Sequence, residues 1–168
     1  DRERLITKVL RSKIPDLVVK GGIDMASEDL TEREKAIAET LRETLVVLGC
    51  SLIRERGEEV ATKAFEELAE SRIAKLKSAS KLGKGFEDFA KGILMTAPLL
   101  DEELHWDIEN KKLRITKCGL WDAGKKLGYE DIPMCIRCKA TSDVFLKYMC
   151  PGYKKTIIKS LWKGDDEC

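Results

Sequence analysis

The apolar positions change period once along the chain, near Leu104. Before it, Ile37, Leu41, Leu45, Leu48 and Leu52 recur every three or four residues, which predicts a helix with these side chains on its buried face. Thr31-Glu32-Arg33-Glu34 precedes that run as a capping box, in which the Thr31 hydroxyl and the Glu34 carboxylate satisfy amides that a first helical turn leaves without partners. Gly57 closes it. A second helix is expected through Val60, Ala64, Leu68 and Leu76, and a third through Phe86, Phe89, Ile93 and Leu94, stopped by Pro98. Ahead of them, Leu5, Val9 and Leu10 suggest a short helix before Pro15, and Gly21-Gly22 loosens the chain behind it. Residues 1–30 are therefore read as an N-terminal arm, free to move or to pack on a partner.

After Leu104 the pattern alternates. Leu104, Trp106 and Ile108 interleave with His105, Asp107 and Glu109, the period of a half-buried strand. Asn110-Lys111 supplies a turn, and Leu113 and Ile115 carry the alternation on to Cys118, so a hairpin is expected over Leu104–Cys118. Gly119 to Leu127 reads as a short helix closed by Gly128, and Cys138 to Met149 as another, ended near Pro151. Tyr153 to Trp162 returns to β-branched and aromatic residues and is expected as a last strand in the same sheet. The fold class is α+β: a helical N-terminal half packed on a small antiparallel sheet. Residues 31–168 form one domain, with a helical part over 31–100 and a cysteine-rich hairpin, helix and strand part over 101–168.

Composition narrows the function classes. With 168 residues, 43% hydrophobic and 36% charged, the chain is long enough to bury a core and too apolar for disorder. Thirty-one basic against 30 acidic residues leave a net charge of +1, which gives no electrostatic case for nucleic acid. No apolar run approaches the roughly twenty residues of a membrane-spanning helix, and no secretory signal is visible, so a cytoplasmic protein is expected. The partners expected are a small-molecule ligand and a second copy meeting through the N-terminal helices.

Cysteine placement is the most specific signal. Of six cysteines, Cys50 lies alone in the first long helix as a small buried hydrophobe, while Cys118, Cys135, Cys138, Cys150 and Cys168 crowd the last third. Cys135-Ile136-Arg137-Cys138 is a C-x-x-C at a helix start, where the helix dipole and the flanking Arg137 and Lys139 favour thiolate. Such a pair shares a metal or acts as a reactive dithiol; the bland alternative is buried, incidental thiols. No second knuckle follows at close spacing, so a metal must draw its other ligands from separate elements. The expected set is Cys118, Cys135, Cys138 and Cys168, with Cys150 in reserve, holding zinc or an iron–sulfur cluster. Disulfides are the lesser expectation in a reducing compartment. His105, the only histidine, sits on the polar face of its strand and reads first as a surface residue. Trp106, Trp121 and Trp162 read first as core.

One run of motifs resembles a known family. Cys118-x4-Ala123-x3-Leu127-Gly128, then Cys138 with Asp143, then Lys163-Gly164-Asp165-Asp166-Glu167-Cys168, is similar to the 2-amino-thiazoline-4-carboxylate hydrolase-like family, within the broader group of four-vinyl reductase and hydrocarbon-binding domains. The similarity spans roughly Leu104 to Cys168. It departs from that pattern where Lys139-Ala140-Thr141-Ser142 separates Cys138 from its aspartate. The resemblance implies an α+β ligand pocket and a hydrolase of carbon–nitrogen bonds in a cyclic amidine that carries a carboxylate. That chemistry needs a nucleophile at the amidine carbon, stabilisation of the adduct and a proton for the departing nitrogen. Cys138 would attack as thiolate or ligate a metal that activates water, Asp143 would serve as acid–base, and Arg137 or Lys139 would pair with the substrate carboxylate. The rival expectation is a non-catalytic ligand- or redox-sensing domain with a structural metal site.

Overall fold

The structure, a computed structural model, describes the backbone of residues 23–25 and all of residues 30–107 and 109–168. The helix expected around Leu5–Leu10 and the loosening at Gly21-Gly22 lie outside the described residues. Helix α1 (Glu32–Arg56) opens on the expected capping box: Thr31 Oγ1 accepts from the Glu34 amide at 3.3 Å, and Glu34 Oε2 accepts from the Thr31 amide at 2.8 Å. Gly57, at φ +84°, turns the chain directly into α2 (Glu58–Ser78).

The face that α1 buries takes in only part of the leucine stripe, Leu45 and Leu52, which are half-buried against the core. Ala38, Val46, Gly49, Cys50 and Ile53 are buried, whereas Ile37, Leu41 and Leu48 are exposed, Leu48 by 65%. Packing distance explains the exchange. A Cβ on Gly49 would stand 2.6 Å from the Met134 Sδ, so small residues let the neighbouring segment approach the α1 backbone. The covering elements come from the second half of the chain, which the period of one helix cannot reveal.

α3 (Phe86–Leu94) ends before Pro98 is reached. Pro98 instead sits in the first turn of a separate short helix, α4 (Ala97–Leu100), where the missing N–H has no intrahelical acceptor to lose. Asp101, at φ +52°, then swings the chain into β2 (Glu102–Asp107), which pairs antiparallel with β3 (Lys112–Cys118) around a turn holding Asn110 and Lys111. The hairpin is as the alternation predicts. A third strand, β1 (Ile23–Met25), pairs on the other edge of β2, in the order β1-β2-β3, so the end of the stretch read as an arm belongs to the sheet. α5 (Gly119–Lys126) and α6 (Cys135–Met149) follow, α5 against α1 and α6 against α2 and α3.

No strand forms over Tyr153–Trp162. Residues 153–160 take no regular structure, and Leu161–Lys163 make one turn of 3-10 helix. The group that does pair with the outer edge of β3 is Cys168, whose carbonyl accepts from the Ile115 amide at 2.8 Å and whose amide donates to the Ile115 carbonyl at 3.0 Å. β-branched and aromatic residues fit any extended, half-buried surface, whether or not the backbone joins a ladder. Here they line a wall instead.

The result is the α+β architecture expected, an N-terminal helical region packed on a small antiparallel sheet. Val46, Cys50 and Ile53 from α1 meet Leu120 and Ala123 from α5 and Ile132 and Met134 beyond it. Phe89 of α3, Trp106 of β2, and Leu146 and Met149 of α6 form a second cluster beneath the sheet. Each fully buried aliphatic side chain in these clusters contributes about 1.5–3 kcal/mol.

Candidate functional site

The site begins with a misalignment in the hairpin. Leu104 opposes Ile115 and Glu103 opposes Lys117, so Thr116 is passed over in a bulge. Side chains alternate along a strand, and Cys118, three residues after Ile115, would otherwise face away from it. The extra residue restores Cys118 to the side of Leu113 and Ile115, directly opposite Glu102. α5 starts at once after Cys118, and a Cβ on Gly119 would stand 2.3 Å from the Leu100 carbonyl oxygen; this junction accepts only glycine without a shift.

α6 supplies the second wall. Cys135 begins the helix, and Cys135, Cys138, Ser142 and Leu146, spaced along one face, line a cavity of about 1720 Å³. Arg137 Nη1 donates to Cys138 Sγ at 3.9 Å, and Lys155 Nζ donates to Ser142 Oγ at 3.3 Å. Cys168 completes this end of the cavity. Its sulfur accepts from the Leu161 amide at 3.2 Å, and the loop leading to it is tied by Asp165 Oδ2, which accepts from the Ser160 amide at 2.7 Å, and by Lys159, paired with both Asp166 and Glu167. The other end carries the aromatic side chains Phe86, Phe89, Trp106 and Tyr153, with Lys111 donating to the Tyr153 hydroxyl at 2.7 Å beside them. Trp106 Nε1 is buried there with no hydrogen-bond partner among the described residues.

Burial governs the electrostatics. Glu102 is 6% exposed, and its carboxyl is pushed up to about 7, while Arg137 and Lys155 draw it back from a still higher value. Cys118 is raised far above the ordinary thiol range by burial and by the neighbouring Cys138 and Glu102. Cys168 is raised by burial, in part offset by the Leu161 amide and the Ser160 hydroxyl, with Cys138 and Cys135 adding to the rise. These thiols are thus electrostatic neighbours.

The structure therefore brings Cys118, Cys135, Cys138 and Cys168 to one end of one cavity. Cys150 is elsewhere, buried among Phe89, Trp106 and Met149. Asp143 and Lys139 are not among the residues lining the cavity; the Lys139 ammonium is bonded to Asp143 Oδ2 one helical turn along. Five residues after Cys138, the helix has turned about 140° away from the thiol. Arg137 does not line the cavity either, though its guanidinium donates to Cys138 Sγ. His105 lies against Thr116. Trp121 and Trp162 meet edge to face at 4.8 Å inside the first core cluster.

Glu102 was missed, although the signal was present. Read one step back, the alternation Trp106, Leu104, Glu102 places a carboxylate at a core position. Four thiols have the donor chemistry for zinc or an iron–sulfur cluster. Among the described residues, no three His, Cys, Asp or Glu side chains are grouped to hold a metal ion. All six cysteines are free thiols. No helix among the described residues is long and apolar enough to cross a membrane. Compared with known proteins, the chain matches no family model, no curated protein and no solved structure.

Proposed function

We propose that this chain is a small-molecule-binding domain whose ligand lays an apolar body against the aromatic wall and turns a polar end towards Glu102 and the thiols. The observation that carries this reading is the cavity of about 1720 Å³ that passes from Phe86, Phe89 and Trp106 to Glu102 and four cysteines. Free thiols suit a reducing, cytoplasmic setting. The resemblance to hydrocarbon-binding domains supports the same reading. Titration with the neutral fluorophore N-phenyl-1-naphthylamine tests it: saturable, one-to-one enhancement is expected, weakened in Ile157→Lys. Absence of saturable binding by the wild type would sink the proposal.

A hydrolase of cyclic amidines is the second reading, favoured by the Arg137 guanidinium donating to Cys138 Sγ in the cavity wall. In that case Glu102, which lines the cavity, would carry the proton in place of the Lys139-bound Asp143. Turnover of 2-amino-thiazoline-4-carboxylate by wild type, lost in Cys138→Ser, would replace the binding reading with this one.

A further inference from the structure

We infer that Glu102 is the recognition group of this cavity and that it takes an organic ammonium, an apolar body ending in a protonated amine. The inference rests on the ligand-binding reading above and names the class of ligand. Glu102 stands on the inward face of β2 in line with Leu104 and Trp106, where an aliphatic side chain would complete the core. It lines the cavity, yet none of the described residues gives its carboxylate a hydrogen bond or forms an ion pair with it. Carboxylates on a buried strand face ordinarily have such partners; the Glu102 oxygens are not among the fully buried unpaired atoms, so what exposure the residue keeps is towards the cavity.

Nearby cations do not fill the role. Arg137 and Lys155 act on Glu102 only through space, with Arg137 bonded to Cys138 Sγ and Lys155 to Ser142 Oγ. A bound molecule can supply the missing donor. An ammonium does this best, since a charge-assisted bond to a carboxylate is roughly twice as strong as a neutral one. The rings of Phe86 and Trp106, at the far end of the same cavity, take the apolar body of such a ligand. A carboxylate ligand would set like charge against Glu102, beside thiols that burial keeps protonated at Cys118 and Cys168.

Calorimetric titration at one pH just above neutrality with phenylbutylamine, phenylbutanol and phenylbutyrate decides the matter. The three probes share one body and differ in head group. Wild type is expected to bind the amine about tenfold more tightly than the alcohol, and the carboxylate most weakly. In Glu102→Gln the amine should fall to the level of the alcohol, whose own affinity stays unchanged. Glu102→Asp, which keeps the charge, should retain part of the preference and serves if the glutamine variant fails to fold. Equal affinity for amine and alcohol in wild type, tightest binding of the carboxylate, or an unaltered preference in Glu102→Gln overturns the inference while leaving the cavity a binding site. Binding of none of the three overturns the ligand-binding reading and this inference together.

Discussion

Side chains that share a name differ here by what surrounds them. Cys50, buried in α1, has its thiol pushed up to about 11 by burial, and Cys118 is raised further still. Cys135 and Cys138 are only partly buried and face the cavity. Iodoacetamide followed by mass mapping should therefore modify Cys135 and Cys138 first, while Cys50 and Cys118 stay protected until the protein unfolds. Early labelling of Cys118 would contradict the geometry of the bulge. Glu102 gives a second prediction. Its folded value of about 7 stands above the ordinary 4.5, so the native state holds the proton more tightly than the unfolded chain. Stability from this group is complete below pH 4.5 and is lost as pH rises through about 7, by a total of about 3 kcal/mol. Urea titrations across that window should show the decline in wild type and a flatter profile in Glu102→Gln.

Elements were legible where a local rule fixed them. The capping box placed the start of α1, and alternation placed the hairpin; Thr31→Ala should cost about 1 kcal/mol in chemical denaturation. What one element does against another was less legible. The leucines of α1 have the correct period for a core face, but a helix carrying both a leucine stripe and a run of small residues has two candidate faces. Only the approach of Met134 and α5 selects between them. The consequence is measurable. Leu41→Lys and Leu48→Lys should each change stability by less than about 0.5 kcal/mol, whereas Ile73→Ala, at a buried position of α2, should cost about 2–5 kcal/mol. Gly119→Ala, forced against the Leu100 carbonyl, should cost about 1–3 kcal/mol despite the small size of the change.

At the scale of the whole molecule, the four cysteines that line the cavity come from separate parts of the chain, and the sequence does not show how they reach it. The C-x-x-C is written in consecutive residues. The convergence of Cys118 depends on one bulged residue, and that of Cys168 on a pair of backbone bonds across 52 positions of chain, neither of which leaves a mark in composition or period. Asp143 shows the converse: it is close to Cys138 in sequence and turned from it in space. The pairing of Ile115 with Cys168 has a dynamic consequence. Between Tyr153 and Ser160 the wall of the cavity makes no backbone bond to the described residues of the sheet, and among the described residues its backbone is held at its two ends, by the close of α6 and by the Cys168 clasp. Such a span opens without unfolding what it covers. Hydrogen–deuterium exchange should find the amides of Lys154 to Lys159 replaced quickly, those of Ile115 and Cys168 slowly, and the passage between bulk water and Glu102 running through the span rather than through the helices.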